Sequence, residues 1–499
     1  MAKLSKRVSQ ETFDEAVQEN IDVFEMEPDE ALQQAISEFE SQGVSLDSII
    51  KDVPGEEGRA EHPVLSAVRD LEAAVAGTNE DAIAEALSGL DSQLGPDAKA
   101  GALELCGQHG AVQASISACR AFAAGGSSLP GALRTLSLVL GHEQNKEFFN
   151  VNGGVQMLVK ELLLPHKNDA ALVQSITTAC AAAATKHEGN KMALMTADVA
   201  EPLVELVRLH MRQPAALKAL CATLKAITTP DDPNEPTGGA FNFGRELAKA
   251  GAWQALVEAL KAGTSDNFDL ALLGNVCGTL KNIAVNEEVC KQVADEGLVE
   301  ILLALLQASG KDAALVRPAC ALLRQLAGSD AIKSQIVEAG GLPVLVLMLS
   351  NFCGIEGKAD KAKSITATLE QAVGVLTAIT LRNPDGAAAA AEAGCFQAVL
   401  AVMQAEPSAQ YLQRQACMFI RNAVARSKDN IPLLLEQGAS QLLLKAKALH
   451  PKICMDVGSA ALRDLGCENY NEGWVIDTMV MGADGVIRNT NDLDNEPVA

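Results

Sequence analysis

The chain is 499 residues long, 48% hydrophobic but only 3% aromatic, and carries a formal net charge of −24 at pH 7. That acidity speaks against phosphate-backbone binding, which needs clustered Lys and Arg to release counterions, and against anionic membrane surfaces. Abundant Ala, Leu, Glu and Gln beside few aromatics favour helix over sheet, because unbranched side chains lose little freedom in a helix.

In chain order, Met1 to Gln10 is charged and lacks the apolar core of a secretory leader. Residues 1–60 hold five basic and fifteen acidic residues, a net of −10. Phe13, Val17, Ile21 and Phe24 recur there at helical spacing, and so do Leu32, Ile36 and Phe39 after the helix-starting Pro28-Asp29-Glu30. Gly43 ends the second run. The spacing predicts an acidic extension of two amphipathic helices joined by a proline turn. Two uses stay open: a cap on the first units of an array, or a ligand for a partner's groove.

Residues 61–467 repeat one pattern: a short polar-started helix, a hinge residue, then an apolar helix. The hinges are Gly153, Asp198, Gly251, Gly297, Gly340, Gly394 and Gly438, 43 to 54 residues apart, with an earlier copy at Gly110. Five residues after each of those seven stands Leu158, Leu203, Leu256, Leu302, Leu345, Val399 or Leu443. The helix starts repeat as well. His142-Glu143-Gln144-Asn145-Lys146 returns as His187-Glu188-Gly189-Asn190-Lys191, and Asn286 and Asn383 take similar places, where an Asn side chain caps a backbone N–H. Neither His-Glu pair forms H-E-x-x-H, so both read as turn residues.

A third helix in each unit ends in a shared run. Leu280-Lys281-Asn282-Ile283-Ala284 matches Leu323-Arg324-Gln325-Leu326-Ala327, Ile420-Arg421-Asn422-Ala423-Val424 and Leu462-Arg463-Asp464-Leu465-Gly466. Leu224-Lys225-Ala226-Ile227-Thr228 and Leu376-Thr377-Ala378-Ile379-Thr380 are looser copies. Cys221, Cys277, Cys320 and Cys417 each fall five residues before the position of Asn282 in their copy, where they serve as small apolar packing residues.

A period of about 43 residues with a glycine hinge between a short first helix and a second one fits three-helix armadillo units rather than two-helix HEAT units. The predicted fold is all-α: a right-handed superhelical solenoid of armadillo repeats with a helical amino-terminal extension. Two spacings exceed the rest. One holds Pro230-Asp231-Asp232-Pro233-Asn234-Glu235-Pro236-Thr237-Gly238-Gly239, the other Cys353 to Thr368. Both are expected as inserted loops, either functional or neutral. The tail, 468–499, is polar; Trp474 is expected to be tethered locally and the last fifteen residues to be disordered.

No G-x-G-x-x-G, phosphate loop, G-x-S-x-G or H-E-x-x-H occurs, and the seven histidines are scattered. No enzyme, cofactor or metal site is expected. Twelve cysteines without a C-x-x-C pair fit reduced thiols in the cytoplasm, and also in the nucleus. The surface best placed to act is the inner wall of third helices, where Lys281 and Asn282 face away from the apolar side. Stacking aligns Lys225, Lys281, Arg324, Arg421 and Arg463 beside Asn282, Gln325, Asn422 and Asp464. An amide bonds both N–H and C=O of an extended peptide, and the cations hold its acidic side chains. The same residues equally suit bracing between repeats.

Nearly the whole chain resembles the armadillo-repeat-containing protein 6 family. The resemblance rests on Ser5-Lys6-Arg7-Val8-Ser9-Gln10-Glu11-Thr12-Phe13-Asp14, on Phe39-Glu40-Ser41-Gln42-Gly43-Val44, and on an insertion with Asp231-Asp232 followed by Phe243-Gly244, where Asp231, Asp232, Phe243, Gly244 and Arg245 are expected as inserted-loop site residues. Most specific are Gln415-Ala416-Cys417-Met418-Phe419-Ile420-Arg421-Asn422 and Ala460-Ala461-Leu462-Arg463-Asp464-Leu465-Gly466-Cys467. It implies an armadillo fold without known catalysis. Resemblance to nuclear-import armadillo receptors is weaker. Their Trp slot holds Gly278, Ala321, Gly374, Met418 and Ala460 here, and no basic amino-terminal arm is present. The expected function is a monomeric adaptor holding a peptide or helix of a partner protein, with no nucleic acid or membrane partner. The alternative is a structural subunit using its outer wall and insertions.

Overall fold

A computed structural model describes residues 6–54, 62–95, 98, 101–124, 127–231, 239–355, 359–468, 470–471, 479–481 and 487–489. In the amino-terminal extension, strand β1 (Lys6–Arg7) leads into helix α1 (Gln10–Asp22), α2 (Pro28–Ser41) and β2 (Val44–Ser45), which pairs in parallel with β1. Ser9 caps α1 by accepting the Thr12 N–H at 3.1 Å. Phe13, Val17, Ala31, Leu32 and Ala35 bury their side chains with Leu46, Ile49 and Val53.

Phe24 departs from the expected stripe. The helix stops at Asp22, Glu25 takes a left-handed φ of +53°, and Phe24 is left 61% exposed. The segment after β2 lies tightly against the array: a Cβ on Gly101 (φ +80°) would stand 1.9 Å from the Asp47 carbonyl oxygen. Gln10 fixes the same segment, donating to the Ile50 carbonyl at 3.1 Å and accepting its N–H at 2.8 Å. These contacts seat the extension at the start of the repeats.

The chain divides into two compact units, Met1–Phe268 and Asp269–Ala499. After the extension, the first holds α3 (Pro63–Ala76) and α4 (Glu80–Leu94), then α5 (Ala102–Gln108), α6 (Ala111–Ala121) and α7 (Leu129–Val139). Next come α8 (Glu143–Val151), α9 (Gly154–Gln156) running into a π-helical stretch Met157–Leu163, and α10 (Ala170–Ala184). It continues with α11 (Glu188–Thr196), α12 (Ala200–His210), α13 (Pro214–Thr228), α14 (Gly239–Lys249) and α15 (Ala252–Ser265).

The second unit opens with α16 (Leu270–Ile283), followed by α17 (Glu287–Asp295), α18 (Leu298–Ser309) and α19 (Ala313–Leu326). Then come α20 (Asp330–Glu338), α21 (Gly341–Phe352) and α22 (Ala359–Thr380), and α23 (Pro384–Glu392), α24 (Cys395–Ala405) and α25 (Gln410–Ala425). The helices finish with α26 (Asn430–Glu436), α27 (Ala439–Leu449) and α28 (Pro451–Asp464).

The hinge reading holds at every position. Gly110, Gly153, Gly251, Gly297, Gly340, Gly394 and Gly438 all have φ between +72° and +93°. That region costs a residue with a Cβ about 1–2 kcal/mol, and Asp tolerates it better than most, as Asp198 does at +59°. The turn aims the second helix back over the first. Leu158, Leu203, Leu256, Leu302, Leu345, Val399 and Leu443 are all fully buried there. Each such side chain contributes roughly 1.5–3 kcal/mol of apolar burial.

Two expectations fail. The long spacing at Cys353 to Thr368 is mostly helix, not loop. From Ala359 it lengthens α22 to 22 residues, because Ala359-Asp360-Lys361-Ala362-Lys363 contains strong helix formers. In the tail, β3 (Met479–Met481) pairs antiparallel with β4 (Ile487–Asn489), so part of the last fifteen residues forms a strand. Trp474 lies outside the described residues.

Candidate functional site

The third helices of the second unit, α16, α19, α22, α25 and α28, pack side by side in order. Asp269 and Asp312 start the first two, accepting the N–H groups of Leu272 and Ala314, both at 2.8 Å. Their buried sides carry the repeated thiols: Cys277, Cys320 and Cys417 are fully buried. Val373 and Ser459 fill the same slot on α22 and α28. Desolvation pushes the Cys320 thiol up to about 12, so it stays neutral and apolar.

One turn further along the same helices stand the sequence-predicted residues. Lys281 and Asn282 lie on α16, Arg324 and Gln325 on α19, Arg421 and Asn422 on α25, Arg463 and Asp464 on α28. Lys281, Gln325, Arg421 and Arg463 are exposed; Asn282, Arg324, Asn422 and Asp464 are half-buried. Lys225 lies in the last turn of α13 in the first unit. The amides brace. Gln325 Nε2 donates to the Ala284 carbonyl at 3.1 Å, and Asn422 Nδ2 to the Thr377 carbonyl at 3.0 Å, each one repeat back. The cations stay at the surface. Arg463 donates to Asp464 Oδ1 from Nε at 3.0 Å and from a terminal nitrogen at 2.9 Å, and Arg421 Nε stands 3.5 Å from Asp464 Oδ2. The bracing reading thus holds for Gln325 and Asn422, with Lys281, Arg421 and Arg463 exposed beside them and Arg324 half-buried.

The insertion residues separate. Asp231 is an anchor: it accepts the backbone N–H of Lys186 at 2.7 Å and pairs with Lys191 Nζ at 2.6 Å. Asp232 lies outside the described residues. Phe243, Gly244 and Arg245 are not loop residues. They belong to α14, where Phe243 and Gly244 are buried and only Arg245 is exposed, because the run from Gly239 is amphipathic at helical spacing.

Other polar residues at the junctions escaped the sequence reading. Asn145 and Asn190 do not cap their helices; His187 caps α11, its Nδ1 accepting the Asn190 N–H at 3.1 Å. Asn190 instead donates both amide hydrogens, to the Ala183 carbonyl at 3.0 Å and the Lys146 carbonyl at 3.2 Å. Asn145 and Asn430 repeat that double bond. Asn286 and Asn383 cap as expected.

Lys146, Lys191 and Lys333 reach the carbonyls of Thr185, Thr229 and Leu381, just past the third helix of their own units, where the helix dipole favours a cation. His166, His210 and His450 each bond a carbonyl 43 residues back, at 2.7 to 2.8 Å. Three of the scattered histidines thus share one job, and the 44-residue step from His166 to His210 was the available signal.

Among the described residues, no group of three or more His, Cys, Asp or Glu side chains is placed to hold a metal ion, and no single helix is long and apolar enough to cross a membrane.

Residues 64–478 match the family model described as ARMC6, and residues 5–64 match the armadillo repeat-containing protein 6 N-terminal domain. The chain belongs to the armadillo repeat-containing protein 6 family. The family member from Pongo abelii is 33% identical over 308 residues, which cover 61% of this chain and 60% of the relative. The Drosophila melanogaster homolog is 28% identical over 313 residues, covering 61% of this chain and 64% of the relative. The chain is thus aligned to less than two thirds of the length of these relatives. Among solved structures, an engineered protein aligns with 92% of this chain and 95% of its own at a TM-score of 0.63 and 20% identity. A chain from a structure described by the interaction between cadherin and β-catenin aligns with 92% of this chain and 81% of its own, at 0.58 and 15%. At those identities they show the fold, an all-α armadillo solenoid.

Proposed function

We propose that this protein is a non-catalytic scaffold that holds an extended segment of a partner protein on the third-helix wall of its second unit. An armadillo-repeat fold by itself suggests a protein-binding scaffold. What supports the finer reading is the recurrence of Lys281, Arg324, Arg421 and Arg463 at one position of the packed third helices of an acidic protein, three of them exposed and Arg324 half-buried, with Gln325 and Asn422 next to them at repeat spacing. Each hydrogen bond to a peptide contributes only about 0.5–1.5 kcal/mol, so affinity comes from a ladder rather than a pocket. Reduced thiols suit a cytoplasmic or nuclear setting.

Arg324→Ala combined with Arg421→Ala leaves the amide braces in place and tests this reading. Partners captured by the wild-type chain are expected to be lost from the double variant. Its melting temperature should stay within about 2–4 °C, because Arg421 is exposed and Arg324 only half-buried, and charges still in reach of water contribute little to stability. Capture that survives the double variant sinks the proposal, and so does a collapse of the melting transition.

A further inference from the structure

The cation row of the wall has a gap. Lysine or arginine stands at its position on α16, α19, α25 and α28, but α22 carries Thr377 there, with Ala378 beside it. Thr377 is 6% exposed and committed to the fold: its hydroxyl donates to the Gln415 carbonyl at 3.2 Å and its own carbonyl accepts from Asn422. Seven residues earlier, α16 carries Gly274 and α19, α22, α25 and α28 carry Arg317, Glu370, Arg414 and Asp456. Arg414 is taken up by Asp456 in a two-pronged pair at 2.8 and 3.0 Å, and α22 contributes the carboxylate of Glu370. The middle helix of the wall is therefore neutral to acidic, and the cations flanking it fall into two pairs. Gly374 keeps α22 flat beside the first pair: a Cβ there would come within 2.9 Å of Arg324 Cδ.

Asp464 shows what the second pair accepts. Its one carboxylate bridges two guanidinium groups from neighbouring repeats, 2.9 Å from Arg463 and 3.5 Å from Arg421, with its side chain only 19% exposed.

We infer that the partner segment, on the scaffold reading above, carries two acidic clusters with an uncharged spacer between them, one cluster for Lys281 and Arg324 and the other for Arg421 and Arg463. Spacing follows from the helices. Neighbouring packed helices stand about 8–10 Å apart and an extended chain advances about 3.3 Å per residue. Carboxylates serving adjacent helices are then about three residues apart. Crossing from Arg324 over α22 to Arg421 takes about six residues. A continuous acidic run is disfavoured in the middle by Glu370, and a basic segment is repelled at both ends.

Fluorescence anisotropy with the full chain and synthetic peptides tests this. The peptides carry two Glu-x-x-Glu clusters separated by two, six or twelve Gly/Ser residues, with a Lys-for-Glu version of the six-residue spacer as control. The six-residue spacer is expected to bind at least about tenfold more tightly than the two-residue one, because only it engages both pairs at once. Arg324→Glu and Arg421→Glu should each erase that preference. Ala378→Lys, which sets a cation beside the gap on a half-buried position of α22, should narrow the advantage of the six-residue spacer over the two-residue one, and added salt should weaken every acidic peptide. Equal binding at all spacings, or tighter binding of the lysine peptide, overturns the inference. If spacing is irrelevant while Arg324→Ala/Arg421→Ala still releases captured partners, the scaffold reading stands and only the two-cluster partner falls. If no peptide binds and capture survives that variant, both fall.

Discussion

In the first unit Lys191 is completely buried, and its ammonium meets Glu188 at 2.7 Å, Asp231 at 2.6 Å and the Thr229 carbonyl at 2.6 Å. In the second unit the Arg421 side chain is 46% exposed and stands 3.5 Å from Asp464. Both are single cations on a repeat framework, yet their surroundings give them opposite jobs. A charge removed from water is retained only when every donor is met, so Lys191 holds the repeat together and has nothing left to offer a partner. A charge left in water contributes little to the fold and keeps its capacity for an incoming carboxylate. Burial, not residue type, separates the structural cations of this solenoid from those available for recognition.

Asp231→Ala pushes this contrast hardest. It removes one carboxylate from buried Lys191 and the acceptor of the Lys186 N–H, and is expected to cost about 3–5 kcal/mol, read by urea denaturation of the full chain. A cost under 1 kcal/mol would place Lys191 among the weakly coupled surface cations and break the distinction. A sharper version compares amides. Asn190→Ala strips two buried carbonyls of their donor and should destabilise by about 2–3 kcal/mol, whereas Asn422→Ala strips one half-buried carbonyl and should cost about 1 kcal/mol. Equal losses in the same denaturation series would mean that the wall amides are as structural as the junction amides.

The smallest effect concerns acid. Arg414 donates to Asp456 and holds its carboxyl below the usual carboxylate range. A depressed folded-state pKa stabilises above the unfolded value of about 4, and that contribution disappears as pH falls through the folded value. The Asp456 side chain is 60% exposed, so the loss below about pH 4 should stay under about 1 kcal/mol and be absent in Asp456→Asn. A larger acid-dependent difference between the two proteins would show that this pair belongs with the buried networks.

The hinges, the buried aliphatic after each hinge, the thiol slot and the recurrence of Lys281, Arg324, Arg421 and Arg463 at one position of four third helices were all legible in the sequence. Each is a local periodicity: a left-handed glycine, a residue five places on, an apolar stripe at helical spacing. The sequence could not say whether an amide would bind or brace. Gln325 and Asn422 do so through carbonyls 41 and 45 residues away. Nor could it show that Asp231 would reach Lys191, or that His166 and His210 would each find a carbonyl 43 residues back. Those outcomes depend on which backbone groups the stacking leaves without a partner and how much water it expels around each charge. Both quantities exist only once neighbouring repeats have packed.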